Sequence, residues 1–169
     1  MKYCTNCGTL LEKRLFEERE RAFCPQCQQI QFRQLKVGAG GLIERGDRLL
    51  LLQRNHVPFQ GCWNIPAGYA EHDEDPSQTV IREVREECGL HVQVERLVNV
   101  YFFADDPRGN GILIVYKCHP IDGELKSTKE GLHPTFFTRE EIPENLAGGG
   151  HDRAILAWKS ATNRNLKSR

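Results

Sequence analysis

The stretch from Gly68 to Leu90 constrains this chain more than any other, because it predicts a helix with both ends specified. Asp75 can cap the N-terminus, Pro76 suits the first helical position, and Gly89 suits the left-handed residue that follows the C-terminus. Helical periodicity then gives one apolar stripe, made of Val80, Ile81, Val84 and Cys88. The stripe predicts that this helix packs on a hydrophobic core.

An acidic stripe lies beside the apolar one. Glu83, Glu86 and Glu87 share a face, because residues three and four apart are neighbours on a helix. Like charges on one face repel each other unless something positive sits on them, and a hard divalent cation with oxygen ligands suits such a face. The alternative is an acidic helix flank that is simply solvated.

The same stretch resembles the Nudix box, G-x5-E-x7-R-E-U-x-E-E-x-G-U, where U is an aliphatic residue. All nine fixed positions of that pattern are filled across these 23 residues. In the family the preceding segment usually ends P-G-G, whereas Ala67 replaces the first of these glycines here. The resemblance covers about residues 36 to 162, and it implies an α/β fold, an α/β/α sandwich with a mixed sheet.

The resemblance also implies a reaction, the hydrolysis of a nucleoside diphosphate linked to another group, with Mg2+ or Mn2+ as the catalytic ion. Phosphoryl transfer depends mainly on positioning and charge neutralisation, which carboxylate-bound metal ions supply. The family pattern assigns the metal ligands to the side chains of Glu83, Glu86 and Glu87 and to the carbonyl of Gly68. It also implies that Arg82 pairs with Glu74 and holds the loop against the helix.

The general base has two candidates. In some members of the family it is a glutamate of the box, and in others it is a glutamate on a later loop. Glu130, in the segment STKEGLHPTFF, occupies the place of such a loop. An ordinary surface acid is the alternative interpretation of Glu130.

The first 35 residues form a separate module with four of the seven cysteines. Cys4 and Cys7 form one C-x2-C pair, Cys24 and Cys27 form another, and 16 residues separate the two pairs. This is the spacing of a structural four-thiolate zinc site, and so small a module needs the metal to fold. Two disulfides or a redox pair are the alternatives.

The charge of this module argues against a nucleic-acid footprint. It carries six basic and four acidic side chains, and four thiolates around Zn2+ bring it close to neutrality. We therefore expect a structural or dimerisation role, in a homodimer. The predicted organisation is a zinc ribbon over residues 1–35, a Nudix domain over 36–163 and a polar tail over 164–169.

Composition limits the remaining possibilities. Lysine plus arginine and aspartate plus glutamate both number 23, so the net charge gives no general attraction to nucleic acid or membrane. No apolar run is long enough to span a bilayer, and the N-terminal stretch has no signal-peptide apolar region. We therefore expect a cytoplasmic protein.

The substrate is the least determined prediction. A ribbon followed by a Nudix domain is similar to NADH pyrophosphatases, but their signature, close to SQPWPFP, is replaced here by VNVYFFADDPRG. Pro107 lies near the position of a proline in ADP-ribose pyrophosphatases. An ADP-linked nucleotide, ADP-ribose or FAD, is therefore the first choice, with NADH or nucleoside triphosphates behind it. A non-catalytic nucleotide-sensing regulator is the alternative of another class.

Other elements follow from local patterns. A hairpin turns at Gly46-Asp47, and the run from Leu49 to Leu52 predicts a strand covered on both faces. Residues 112–118 predict a strand that ends in a turn at HPIDGEL, and Gly148 to Gly150 predict a flexible hinge before a helix over residues 151–162. The six histidines, His151 among them, are interpreted as surface or loop residues.

Overall fold

The computed structural model describes residues 2–161, and the chain divides into two compact units at Leu35 and Lys36. Each unit is described separately below. The predicted polar tail over residues 164–169 lies outside the described residues, as do the last two residues of the predicted Nudix domain.

The first unit is a small antiparallel sheet next to the cysteines. Its strands are β1 (Glu12–Phe16), β2 (Arg19–Cys24) and β3 (Gln29–Gln31), in that order across the sheet. Cys24 and Cys4 are buried, whereas most apolar side chains of this unit are partly or largely exposed. The small core leaves the cysteine cluster as the centre of the unit.

The second unit contains a mixed seven-stranded sheet and two helices. Its strands are β4 (Lys36–Arg45), β5 (Arg48–Arg54), β6 (Trp63–Asn64), β7 (Ala67–Tyr69), β8 (Leu90–Phe103), β9 (Gly111–Gly123) and β10 (Gly131–Phe137). The main order is β10-β5-β4-β9-β8, with β6 on β5 and β7 on β4. Only the β4–β9 pairing is parallel among these strands, which makes the sheet mixed as predicted.

Helix α1 (Pro76–Cys88) has the ends that the sequence predicts. Asp75 accepts a hydrogen bond from the Ser77 amide at 2.8 Å, and Gly89 is left-handed with φ of 77°. Helix α2 (His151–Ser160) is the other helix among residues 2–161. Neither of these two helices is long and apolar enough to cross a membrane.

The two helices cover opposite faces of the sheet. One core cluster joins Val80, Val84 and Cys88 of α1 to Ile43, Leu50 and Leu52. A second cluster joins Ala154, Ile155 and Trp158 of α2 to Leu49, Leu51 and Val115. Because alternate residues of β5 enter different clusters, Leu49 to Leu52 are all buried, and the predicted α/β/α sandwich is confirmed.

Strand β9 runs further than the sequence predicts, which corrects the turn expected at HPIDGEL. It continues through Pro120 to Gly123. The pairing with β4 ends at Cys118, so beyond that residue β9 pairs with β8 alone. Proline is tolerated in a strand where its missing N–H faces an unpaired edge. Gly148 to Gly150 form a tight turn into α2 where the sequence predicted a hinge.

Candidate active site and zinc cluster

A cavity of about 260 Å³ opens in the second unit beside the acidic face of α1. Two glutamates of that face, Glu83 and Glu87, line it together with Gly68 of β7 and Glu130 of the loop before β10. Glu86 and the pair Arg82–Glu74 are not among the lining residues. Of the seven residues predicted for the catalytic site, the structure therefore brings four to one cavity and places the other three beside it.

Glu83 and Glu87 are both buried, with 8% of each residue exposed. Burial raises the pKa of Glu87 to about 8, with a smaller contribution from the Glu83 charge, while the Ala67 amide and Arg54 oppose the shift. Burial also raises the pKa of Glu83 above its usual value. Two desolvated carboxylates in one cavity strongly favour a bound cation.

Backbone geometry on β7 fits these carboxylates closely. The Ala67 amide donates to Glu87 Oε2 at 2.9 Å. A Cβ at position 68 would overlap the Glu83 carboxylate, so a larger residue there would displace that side chain from its present position. Ala67 itself is buried on β7, so alanine is accommodated at the position where the family usually has glycine.

Arg82 joins the loop before α1 to the acidic face. Its Nε and Nη2 donate to the two carboxylate oxygens of Glu74, both at 2.9 Å, which is the ion pair that the family pattern implies. Its Nη1 donates to Glu83 Oε1 at 2.6 Å and to Glu86 Oε2 at 3.1 Å. Hydrogen bonds from Arg82 lower the pKa of Glu74 to about 2.

The box glutamates fit a divalent cation by donor type, although their oxygens do not converge in this structure. Within the described residues, only the four cysteines form a group of three or more ligand atoms packed together. Glu83 and Glu86 instead turn toward Arg82, and Glu87 turns toward the Ala67 amide. Carboxylate oxygens are the ligands that Mg2+ takes, with water and substrate phosphates completing its coordination.

Arg54 is a cavity residue that the sequence analysis did not identify. It ends β5, its Nε donates to the Pro58 carbonyl at 3.1 Å, and its side chain lines the cavity with the glutamates. Burial lowers its pKa and the Glu87 charge opposes this, but a guanidinium stays charged in either case. A charged residue two positions after a run of four leucines was the signal that could have indicated it.

A second cation is fixed on the loop between β8 and β9. Arg108 donates through Nε and Nη2 to the buried Asp106 carboxylate, with Nη2 2.7 Å from Oδ2. These contacts lower the pKa of Asp106 to about 2. Arg108 also lies over the ring of Tyr69, 5.6 Å from its centroid. The loop that contains Pro107 thus carries a permanent ion pair at the cavity.

Two buried polar residues without a carboxylate or guanidinium line the same cavity, Asn64 of β6 and His151 at the start of α2. The prediction that His151 is a surface or loop residue is wrong, since only 8% of it is exposed. It is buried because the turn at Gly148 to Gly150 directs the first residue of α2 into the interior. No local pattern in the sequence distinguishes it from the other histidines.

Comparison with known families agrees with this geometry. Residues 34–159 match the NUDIX domain family, which is well over half of the chain. The chain belongs to the Nudix family. It is therefore an enzyme of the pyrophosphohydrolase type, and the Nudix domain works with a divalent metal ion.

Individual relatives of the Nudix chain differ in how much they share with it. The ADP-ribose pyrophosphatase of Methanocaldococcus jannaschii is 36% identical over 128 residues, covering 73% of this chain and 75% of that protein. The NAD-capped RNA hydrolase NudC of Pseudomonas aeruginosa is 29% identical over 147 residues, covering 84% of this chain but 49% of that protein. A NUDIX hydrolase structure from Nitrosomonas europaea superposes with a TM-score of 0.80 at 29% identity, covering 94% of this chain and 91% of that one.

The first unit of this Nudix protein matches the family described as Nudix N-terminal, a zinc-ribbon family, over residues 2–33. The four sulfur atoms of Cys4, Cys7, Cys24 and Cys27 all lie within 4.8 Å of one another. Sulfur atoms around a tetrahedral Zn2+ are about 3.8 Å apart, from a Zn–S distance of about 2.3 Å. Cys7–Cys24 at 3.6 Å and Cys4–Cys27 at 3.9 Å fit that spacing, and the cysteines are free thiols.

Proposed function

We propose that this Nudix enzyme hydrolyses the diphosphate bond of an ADP-linked nucleotide, ADP-ribose or FAD, and releases AMP. One observation carries the proposal: two buried glutamates of α1 and the guanidinium of Arg54 line a single cavity. Buried carboxylates offer oxygen ligands, and the guanidinium offers a fixed positive charge for phosphate. The similarity of this chain to the ADP-ribose pyrophosphatase of Methanocaldococcus jannaschii supports this choice of substrate.

The catalytic ion is proposed to be Mg2+ or Mn2+, held by Glu83, Glu86 and Glu87 with the Gly68 carbonyl as a further ligand. When bound, such an ion neutralises charge on the diphosphate and activates the attacking water. Arg82 keeps Glu83 and Glu86 oriented along the helix face, and the Ala67 amide orients Glu87. Glu74 anchors Arg82 against β7, the strand that carries Gly68 and Tyr69.

Arg54 and Glu130 complete the proposed reaction. Arg54 holds a phosphate group of the substrate, because its charge is fixed in the cavity by its bond to the Pro58 carbonyl. Glu130 is proposed as the general base: it is exposed, lines the cavity and lies on the loop before β10. A carboxylate that is not bound to the metal ion stays free to accept a proton from the attacking water.

NADH is the second candidate substrate, and one observation favours it. The match to the NAD-capped RNA hydrolase NudC extends over 84% of this chain. The missing SQPWPFP-like signature favours ADP-ribose or FAD over it. All three compounds share an ADP half, so AMP is the common product.

The ribbon is proposed to hold one structural Zn2+ and to act in folding or in homodimer formation. Its six basic side chains are offset by four acidic ones and by four thiolates around Zn2+, so we propose that nucleic acid is not its ligand. We also propose that the protein works in the cytoplasm, where four free thiols remain reduced.

A substrate panel tests the proposal directly. The full chain is incubated with Mg2+ or Mn2+ and ADP-ribose, FAD, NADH, diadenosine polyphosphates, nucleoside triphosphates or capped RNA, and products are separated by chromatography. We expect AMP from the ADP-linked compounds, with ADP-ribose or FAD ahead of NADH in kcat/KM. Chelation of the metal should abolish turnover.

Two outcomes would replace the proposal. Nucleoside triphosphates as the best substrates, giving monophosphate and pyrophosphate, would make the enzyme a triphosphatase. Nucleotide binding without turnover, together with a DNA mobility shift at low salt, would make it a ligand-sensing regulator. A DNA shift that is lost on mutation of the ribbon cysteines would locate that binding.

A further inference from the structure

Two buried polar atoms, on residues that line the cavity, have no role in the proposed hydrolysis. They are Asn64 Oδ1 and His151 Nδ1, and neither has a hydrogen-bond partner among residues 2–161. Asn64 Nδ2 donates to the Ile65 carbonyl at 2.8 Å, and a carbonyl can only accept, so the amide orientation is fixed. Oδ1 is therefore an unpaired acceptor. Such buried atoms are costly and rare, which indicates a ligand that pairs with them.

Both residues line the cavity, and backbone contacts join the segments that carry them. Ala147 N donates to Trp63 O at 2.8 Å, which ties the strand of Asn64 to the segment that enters α2. Gly148 packs on the ring of Phe59, since a Cβ there would lie 2.7 Å from it. Gly68 and the glutamates line the same cavity from β7 and α1.

The residues that line the cavity differ in charge. The carboxylates of Glu83 and Glu87 suit a metal ion, which in turn binds phosphate. Burial and the Arg54 charge lower the pKa of His151 to about 3, so the imidazole is neutral at physiological pH. Asn64 and His151 therefore offer uncharged hydrogen-bonding atoms in a cavity that the aromatic ring of Phe59 also lines. A nucleobase, which is flat and apolar on its faces and polar at its edge, matches that chemistry.

We propose that Asn64 and His151 form the base subsite of this enzyme and recognise the polar edge of an adenine-type base. Asn64 Oδ1 accepts a hydrogen bond from the exocyclic amine, and His151 Nδ1 pairs with a neighbouring ring nitrogen. Because both atoms are covered in this structure, binding includes a small side-chain movement that uncovers them. The inference rests on the proposed nucleotide substrate and deepens it by assigning the base contacts.

Binding to the full chain, measured by calorimetry, tests the subsite without depending on turnover. The probes are AMP, purine riboside 5′-monophosphate, which lacks the exocyclic amine, and ribose 5-phosphate, which lacks the base. Wild type should bind AMP about tenfold more tightly than the purine riboside compound, because an unmet buried acceptor penalises the analogue. In Asn64→Leu this ratio should fall to about one, with ribose 5-phosphate affinity unchanged.

His151 is tested with a matched pair of variants. His151→Leu removes the ring nitrogen and should weaken AMP at least fivefold, whereas His151→Asn restores a polar atom near the Nδ1 position and should bind within a few-fold of wild type. Ribose 5-phosphate binding checks that each variant is folded. The His151 pair remains decisive if Asn64→Leu does not fold.

Two results would overturn the subsite. Equal affinity of wild type for AMP and the purine riboside compound would mean that internal water satisfies both atoms. Unchanged AMP affinity in His151→Leu would remove the histidine from the assignment. Neither result bears on the proposal that the enzyme hydrolyses an ADP-linked nucleotide. That proposal is contradicted separately if wild type cleaves no ADP-linked compound.

Discussion

Arg82 binds Glu74 through two parallel hydrogen bonds, Nε to Oε1 and Nη2 to Oε2, each 2.9 Å long. The same guanidinium reaches Glu83 and the Tyr69 carbonyl. One side chain therefore ties the loop before α1, strand β7 and the acidic helix face together. A bidentate arrangement of this kind requires the planar fork of arginine, which lysine cannot reproduce.

Arg82→Lys should therefore lower the free energy of unfolding by about 1–2 kcal/mol at pH 7, as hydrogen bonds to charged groups are lost. Arg82 depresses the pKa of Glu74 from 4.5 to about 2. The ion pair therefore stabilises the fold above pH 4.5, and this stabilisation is lost as pH falls toward 2. The difference in free energy of unfolding between wild type and Arg82→Lys should shrink over that range. Urea denaturation at several pH values measures it, with the exposed Arg85→Lys as control.

Glu87→Gln should reduce turnover by about 100-fold or more, since removal of one key electrostatic group costs that much. The metal-free variant should also be more stable than wild type at pH 8. Folding raises the pKa of Glu87 from 4.5 to about 8, so wild type loses stability as pH rises through that range, and a neutral amide avoids the loss.

Activity assays and thermal unfolding with EDTA test both parts of the Glu87→Gln prediction. Exposed Glu124→Gln should behave like wild type in each assay. Near-wild-type turnover in Glu87→Gln would remove this residue from the metal site.

The sequence predicted the site where its geometry is local. The caps Asp75 and Gly89 and the acidic face of α1 depend on neighbours along the chain, and the structure has the same helix ends. The sequence predicts an end of β9 that is too early. Whether the strand can include Pro120 depends on which neighbouring strand is paired at that position. Local patterns contain no information about that pairing.

Arg54, Asn64 and His151 were missed for a similar reason. They come from β5, β6 and α2, and only the folded sheet brings them to one cavity. Buried polar residues within apolar segments are ambiguous in a sequence, because the same pattern fits an exposed strand end or a satisfied core residue. Their function becomes visible only with their burial and missing partners.

The ribbon should contain one tightly bound Zn2+ per chain. Cys24→Ser should lose the metal and unfold the first unit, because Cys24 is fully buried in the cysteine cluster and the unit has few other core residues. Elemental analysis gives the stoichiometry, and Cys62→Ser, in the other unit, should keep the metal. Protein with no zinc and two disulfides would contradict the assignment.

His151 should make wild type lose stability on mild acidification. Its pKa is lowered from 6.5 to about 3, so the folded state excludes a proton that the unfolded chain binds between these values. Stability should fall by up to ~1.4 kcal/mol per pH unit below pH 6.5. His151→Asn should lack this part of the slope, and exposed His91→Asn should retain it. Denaturant midpoints between pH 7 and 5 decide between these outcomes.

Glu130→Gln separates the general base from the metal ligands. Glu130 lies in the cavity with Glu83 and Glu87 but is exposed. If it accepts the proton of the attacking water, its amide variant should lose about 10²- to 10⁴-fold in kcat. The Mn2+ concentration that gives half-maximal activity should stay unchanged, because no ligand is removed.

A metal ligand behaves differently in the same assay. If Glu130 binds the ion, Glu130→Gln should need more Mn2+ for half-maximal activity, and added metal should recover part of the loss. The control is Glu140→Gln, an exposed acid outside the cavity, which should match wild type in kcat and in metal dependence. A Glu130→Gln variant that also matches wild type would return the role of base to a glutamate of the box, since Glu83 and Glu87 are the other glutamates among the described residues that line the cavity.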